Sequence, residues 1–480
     1  MLELSVGFGK FTGGKDMNQK VNEWIEAHRN DLLEDIKDLC SVNSVKGSYE
    51  QGKPFGDGPF DALNEALQLC ESYGFSISNS ENYVGTADLD PKLPRSLDIL
   101  AHMDVVPAGE GWTVTEPFDP IEKDGRIYGR GSSDDKGPAM CALYAMRAVR
   151  ECGIPLKKGV RLILGADEEC GSSDIEKYYA NEPEAEMTFS PDGEFPVINI
   201  EKGMFRGTIS KNFTEDPALP RVLSMDAGIA LNAVPQKAVI RLEGFNMNLA
   251  EKIIADLEKE CDVKCEMSGI DEITVIGTSA HASTPENGRN AGLAALMLIS
   301  RLPLADSEEL RQIRRLLKLF PYGVTDGSGI GVKMEDRESH ALTCTLDLFH
   351  IDPQYIEFKF DARVPVTADQ KNCEEPARKA IEKAGFDFTS GGMIPPHVVP
   401  SDSGFVKKLL KSYEDVTGLK GECLAIGGGT YVHELKNGVA FGAVLPGIDT
   451  HMHGADEFME IDNIMAATKI YADAIIALCS

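Results

Sequence analysis

Five short segments carry residue types able to do chemistry. His102-Met-Asp104 follows the apolar run Ser96-Leu-Asp-Ile-Leu-Ala. An imidazole that binds a cation needs its other ring nitrogen held, and a carboxylate two residues along can hold it. Gly129-Arg-Gly-Ser-Ser-Asp-Asp-Lys-Gly137 sets two adjacent acids, Asp134 and Asp135, at a turn running into a helix. Its glycines allow close backbone approach, and the helix start favours negative charge. Ala166-Asp-Glu-Glu-Cys-Gly171 puts Glu168 and Glu169 just past a second apolar run. Neighbouring side chains there point in different directions, so one can bind a metal while the other faces an attacking water. Ser190-Pro-Asp192-Gly and His451-Met-His453-Gly-Ala-Asp-Glu457 complete the set. Singly, each has an ordinary structural reading as a loop histidine, a helix cap, surface acids or a Pro-Asp-Gly turn. The histidine pair is harder to set aside, because the chain has only nine histidines. Together, His102, Asp134, Glu168, Glu169, Asp192 and His453 each follow a strand or occupy a loop at what should be one sheet edge, where ligands of open α/β sheets collect. Mixed nitrogen and oxygen donors without thiolate suit zinc, manganese or cobalt. With one carboxylate bridging, five ligands make two three-ligand sites, each keeping a position for solvent or substrate.

The elements that must position these residues alternate. Apolar residues recur at helical spacing from Asn18 to Cys40 and from Leu63 to Tyr73, with Gly74 as a C-cap. A strand at Ser96, a helix from about Lys136 to Arg150 and the strand Val160-Arg-Leu-Ile-Leu-Gly follow. Near the C-terminus, helices over Phe405 to Val416 and Ile461 to Leu478 flank the strand Val439-Ala-Phe-Gly-Ala-Val-Leu. That order predicts a catalytic α/β domain with a central mixed, mostly parallel sheet between helices. Between about Glu194 and Gly391 the texture changes to strands at Ala238, Ile273 and Phe358 and helices at Leu249 to Cys261 and Asn290 to Arg301. We read residues 1–193 and 392–480 as one discontinuous metal-binding domain and 194–391 as an inserted α+β domain.

Length and composition bound the rest. The 480 residues exceed what one hydrophobic core usually organises, and 42 % hydrophobic content suffices for two. Lys plus Arg number 48 against 77 Asp plus Glu, a net charge of −29, which disfavours nucleic acid and anionic membrane surfaces. The N-terminus lacks a basic then apolar leader, and no stretch reaches the roughly 18 apolar residues of a membrane span. Eleven scattered cysteines without a C-x-x-C pair read as reduced core thiols in the cytosol, Cys170 beside the acidic pair being the one to watch. The first sixteen residues read as a loose arm or a misassigned start before Met17.

HMDVVP, GRGSSDDKG, ADEECGSSD, SPDGEFP and HMHGADE, in this order and spacing, resemble the co-catalytic dizinc metallopeptidases that include aminoacylase, carnosinase and bacterial PepV-type dipeptidases. The resemblance covers nearly the whole chain. It extends into the insert through Leu231-Asn-Ala-Val-Pro-Gln, Ser279-Ala-His-Ala-Ser-Thr-Pro-Glu-Asn-Gly-Arg-Asn-Ala and Asp361-Ala-Arg-Val-Pro, which match lid-domain signatures. It implies two divalent metal ions, zinc first and manganese or cobalt as alternatives. His102, Asp134 and Asp192 would hold one; Asp134, Glu169 and His453 would hold the other, with Asp134 bridging and a cis peptide after it. Glu168 would be the general base, Asp104 would orient His102, His281 would donate to the oxyanion, and Asn232 and Arg363 would bind the substrate carboxylate or backbone. The chain departs from the family pattern at Gly428-Gly-Thr-Tyr-Val-His433, where relatives often end in Arg, so a planar bidentate contact to the substrate end group is replaced by His433. The large insert resembles the PepV-type lid, which mimics a fused pair and supplies its histidine in cis. This implies a monomeric, cytoplasmic dipeptidase acting on small peptides with a free N-terminus, including β-alanyl or D-residue ones. The alternative within the same chemistry is an N-acyl-amino-acid deacylase. A catalytically dead binding protein would lack a ligand or base, and none is missing.

Overall fold

The computed structural model of the chain describes residues 15–480, with side chains from Asn18 onward. The expected N-terminal arm therefore lies outside the described residues. The chain forms two compact units. One runs to Asn199 and takes up Val399–Leu424 and Thr430–Ser480; the other is Ile200–Val398 with Ala425–Gly429.

The first unit is built on a mixed sheet in the order Ser76–Ser80, Val84–Asp88, Gly159–Gly165, Arg95–His102, Met187–Ser190, Gly438–Ala440, Val197–Glu201. Its centre is parallel: Gly159–Gly165, Arg95–His102, Met187–Ser190 and Gly438–Ala440 all point the same way. Val84–Asp88 and Val197–Glu201 run antiparallel to them, and the edge strand Ser76–Ser80, antiparallel to Val84–Asp88, points with the centre again. Parallel strands need cover on both faces, and these are accordingly almost wholly buried around apolar centres such as Leu97, Ile99, Leu100, Leu162, Ile163 and Phe189. The helix Lys136–Glu151 is buried from Lys136 through Val149 and packs on the closing helix Ile461–Cys479, filling the core with Met140, Leu143, Ile470 and Ile475.

Two local departures from the sequence pattern have physical causes. The helical run from Asn18 breaks into Lys15–Ala27 and Arg29–Ser41. At the break His28 stacks on Trp24 with ring centroids 3.8 Å apart, and its Nδ1 lies 2.8 Å from the Trp24 carbonyl oxygen, competing with the helical ladder. The strand expected over Val439 to Leu445 stops at Ala440, because Gly442 adopts φ +85° and ends the extended run. Gly74, at φ +82°, terminates the helix Asp57–Ser72 as its spacing predicts.

The second unit carries an eight-stranded sheet, its neighbours antiparallel, in the order Lys264–Ser268, Glu272–Ile276, Lys237–Glu243, Arg221–Ala227, Thr343–Ile351, Tyr355–Val364, Gly203–Asn212, Asp387–Ile394. Alternation along Tyr355–Val364 buries Phe358 and Phe360 in a core shared with Leu296, Leu298 and Ile313 from the helices Ala291–Arg301 and Glu308–Leu319. Asn290 caps the first of these helices, its side chain accepting from the Leu293 amide at 2.9 Å.

Candidate metal centre

The parallel strands of the first unit deliver their last residues to one edge. His102 ends its strand directly opposite Gly165, and Glu168 and Glu169 follow three and four residues later. Asp192 comes two residues after Ser190, the end of the next strand. His102 is fully buried. Its Nε2 lies 3.0 Å from Asp134 Oδ1 and 3.7 Å from Asp192 Oδ2. The other carboxylate oxygen of Asp134, Oδ2, lies 2.9 Å from His453 Nε2, which is 3.1 Å from Glu169 Oε1. Asp134 thus stands between two histidines from segments over three hundred residues apart in sequence. The peptide bond from Asp134 to Asp135 is cis.

The supporting contacts refine the sequence reading. His102 Nδ1 is 3.0 Å from the main-chain oxygen of Asp104 and 3.5 Å from its Oδ1, so the carbonyl is the nearer partner. The Asp104 carboxylate instead accepts the amides of Glu168 and Glu169, each at 3.1 Å. Asp135 occupies the cap position of the helix Lys136–Glu151 without capping it. Its Oδ2 accepts the His102 amide at 3.1 Å. Gly137 must be glycine, since a Cβ there would run into the Ser132 carbonyl.

The donor set suits divalent cations. His102, Asp134 and Glu169 offer ligand atoms within 4.8 Å of one another, and so do His102, Glu168 and Asp192. Ligands about 2.0–2.1 Å from a tetrahedral zinc stand roughly 3.3 Å apart. The observed separations of 2.9, 3.0, 3.1 and 3.7 Å bracket that spacing. The electrostatics agree. Burial pushes the Asp192 carboxyl up to about 7, with Asp134 adding to the shift. Burial, then Asp192, Glu169 and Asp134 against the opposing pull of His102, holds Glu168 well above the usual carboxylate range. Hydrogen bonds to Asp134 and Glu169 push His453 up to about 11. Burial alone would lower His102 and raise Asp134; contacts with Asp104 and Asp134 reverse the first, raising the imidazole, and contacts with His102 and His453 reverse the second, lowering the acid. Protons are held where cation charge would otherwise balance the acids.

Four supporting residues escaped the sequence reading. Glu457 is fully buried, and its Oε1 accepts the amides of Gly131, Ser133 and Asp134 at 3.1, 3.0 and 3.2 Å. Arg130 donates to its Oε2 at 2.6 Å. Asp174 Oδ2 accepts the amides of Ala166 and Asp167 at 2.5 and 2.9 Å, and the Tyr431 hydroxyl at 2.5 Å. A Cβ on Gly165 would overlap that hydroxyl. The Tyr431 ring also stands edge-on to His102, centroids 6.1 Å apart. Arg130 and Glu457 lie inside the GRGSSDDKG and HMHGADE segments, and an acid three residues after the glycine of a histidine loop was the available signal. His433, half-buried, sits in the single turn Tyr431–Glu434 capped by Thr430.

The remaining expected residues lie in the second unit. His281 is exposed, and its Nδ1 accepts the Ser283 amide at 3.2 Å. A neutral ring so held carries its proton on Nε2, as a donor. The Ala282 amide donates to the Asn232 carbonyl at 2.8 Å, and Thr343, opposite Arg363 in the sheet, donates to the Ala282 carbonyl at 3.0 Å. Asn232, the His281 segment and Arg363 therefore share one end of that sheet. Arg363 is buried, bonded to Asp361 Oδ1 at 2.6 Å and to the Gly427 carbonyl at 2.5 Å. Its guanidinium is thus already engaged within its own unit.

All eleven cysteines are unbridged, and Cys170 is the exposed one. Among the described residues, no helix is long and apolar enough to cross a membrane.

The model of peptidase family M20/M25/M40 matches residues 99–477. The chain is 35 % identical over 458 residues to the putative dipeptidase YtjP of Bacillus subtilis (strain 168), covering 94 % of this chain and 97 % of that one. It is 34 % identical over 476 residues to the Beta-Ala-Xaa dipeptidase of Lactobacillus delbrueckii subsp. lactis, covering 96 % and 98 %. Human carnosine dipeptidase 1 shares the fold, with a TM-score of 0.59 at 15 % identity over 96 % of this chain and 98 % of that chain. With its carboxylate and histidine cluster in place at the sheet edge, the chain belongs to peptidase family M20/M25/M40.

Proposed function

We propose that the chain is a metal-dependent dipeptidase that hydrolyses the peptide bond of short substrates with a free N-terminus. The observation that carries this reading is Asp134, whose two carboxylate oxygens lie 3.0 and 2.9 Å from His102 and His453 with Glu168 and Glu169 alongside. His102, Asp134 and Asp192 hold one ion and Asp134, Glu169 and His453 the other, zinc first, with manganese or cobalt accepted by the same donors. Two bound ions supply Lewis acidity and bring solvent deprotonation near neutral pH.

The chain's own groups do the rest. Glu168 takes a proton from the water that attacks the scissile carbonyl and returns it to the leaving amine. Neutralising the carboxylates around Glu168 lowers its proton affinity toward a range in which it can do both. Asp104 fixes the direction of Glu168 and Glu169 through their amides. His281, with its proton on Nε2, donates to the oxyanion. Asn232 and Arg363 serve the substrate backbone or carboxylate, Arg363 by shaping the Asp361 and Gly427 segments, and His433 reads the substrate end group. The inserted unit acts as a lid on the catalytic one. The relative named for β-Ala-Xaa substrates supports including β-alanyl dipeptides, and D-residue N-termini belong to the same tolerance. The protein works as a cytoplasmic monomer.

The test is a panel of Leu-Leu, a β-alanyl dipeptide and N-acetyl-leucine, assayed after chelation and again with each metal restored. Dipeptide turnover should vanish on chelation and return with metal, and elemental analysis should find two ions per chain. Turnover of N-acetyl-leucine alone would give the reaction to a deacylase instead.

A further inference from the structure

The two halves of the centre are anchored differently. His102 ends a buried parallel strand, with its amide tied to Asp135. His453 lies in a loop where His451, His453 and Asp456 take φ of +56°, +63° and +57°. For residues other than glycine that conformation is costly, so the loop does not hold this shape by its own preference.

Three clamps hold it. Asp456 Oδ1 accepts the amides of Thr113 and Val114 at 2.8 and 2.9 Å, and its Oδ2 accepts the Thr113 hydroxyl at 2.6 Å. Arg130 Nη2 donates to the Gly454 carbonyl at 3.1 Å, one residue past His453, while Nη1 binds Glu457. Glu457 in turn carries the Asp134 amide. One buried ion pair therefore ties the turn that presents Asp134 to the loop that presents His453. Both residues are nearly or wholly buried, at 1 % and 0 % exposure.

We infer that Arg130 and Glu457 are positioning residues that bias occupancy toward the metal position completed by Glu169 and His453: Asp134 is common to both positions, but only the His453 loop is gripped by this pair, while His102 and Asp192 are held by the strands. The inference rests on the dimetal reading above. Supporting groups of this kind typically change metal affinity 10–100-fold. Buried pairs also cost stability when broken, so loss of fold alone would not speak for the idea.

The experiment titrates the full-length apo protein with Co²⁺ against a chromophoric chelator, resolving two stepwise constants, and records the cobalt absorption spectrum at one equivalent. For Glu457→Gln we expect one constant weakened about 10–100-fold and the other, which shares only Asp134 with the disturbed turn, weakened clearly less. Its one-cobalt spectrum should coincide with that of His453→Ala. Arg130→Lys keeps the charge but not the fork to Gly454, and should weaken the same constant less. Equal weakening of both constants, or of neither, overturns the inference. If Glu457→Gln does not fold, Asp456→Ala loosens the same loop from its solvent side and must show the same selectivity; uniform loss there has the same overturning force. A wild-type chain that binds fewer than two ions would instead sink the dimetal reading itself.

Discussion

Buried acids do opposite work in the two units. In the catalytic unit Asp104, Asp174 and Glu457 each accept two or three main-chain amides from segments that carry candidate ligands. In the inserted unit Asp347 is fully buried, with only the Thr345 side chain and the Asp361 main chain as weak partners that do not offset its burial, and Glu309 Oε1 has no hydrogen-bond partner. Burial pushes Asp347 up to about 10 and Glu309 up to about 7. An acid surrounded by amides organises a loop, whereas an acid short of donors stays protonated and organises nothing. Burial by itself is thus no sign of a functional carboxylate; the amides pointing at it are.

The contrast can be broken from its strongest end. Under the proposed mechanism Glu168, in the catalytic unit, uses its carboxyl for chemistry and not for holding backbone. Glu168→Gln should lower kcat by about 10²–10⁴-fold while elemental analysis still finds two ions. Near-normal kcat would remove Glu168 from the mechanism. Asp104→Asn replaces one of the two amide acceptors by a donor that faces an N–H group, and should lower kcat/KM by about 10–100-fold with a loss of metal affinity. Unchanged kinetics would reduce Asp104 to packing.

The inserted unit should respond with the opposite sign. A carboxyl whose folded pKa is raised stabilises the fold fully below its unfolded pKa of about 4 and loses that contribution as pH rises toward the folded value. At pH 8 Asp347 is still protonated in the fold and ionised when unfolded, so folding pays for a proton. Asp347→Asn should therefore raise the melting temperature by a few degrees at pH 8 and lose that advantage near pH 4, as followed by scanning calorimetry. A variant less stable than the parent at pH 8 would show that the contacts of Asp347 with Thr345 and Asp361 outweigh its burial. The smallest effect belongs to Tyr431→Phe, which removes one hydrogen bond to Asp174 worth about 1 kcal/mol. It should lower kcat a few-fold and the melting temperature slightly, and a drop of orders of magnitude would make Tyr431 a catalytic residue.

The candidate ligands were legible because each sits in a short segment whose residue types have few other uses together. The parallel core was legible for a related reason, since strands covered on both faces are continuous apolar runs. What escaped notice acts across distance. Glu457 meets Gly131 through backbone amides 326 residues away, and no local pattern marks such an acceptor. In the inserted unit, the strands Gly203–Asn212, Arg221–Ala227 and Asp387–Ile394 went unread. Their alternation is broken by register shifts at Val222/Ser224 and Ser390/Met393 and diluted by polar outward faces. The helix break at His28 depended on a ring stacking on Trp24, which helical spacing does not encode.

The place of Gly438–Ala440 in the catalytic sheet has a consequence in time. It lies between Met187–Ser190 and Val197–Glu201, two strands that precede it by more than two hundred residues. During synthesis the earlier strands are complete while the whole inserted unit is still being made, which at about 5–20 residues per second takes tens of seconds. Through that interval Met187–Ser190 presents an unpaired edge with Met187 and Phe189 on one face, of the kind that recruits other chains. Newly made protein should accordingly be most prone to aggregate before its last tenth emerges, and a chaperone that shields this edge would raise yield without altering the finished enzyme.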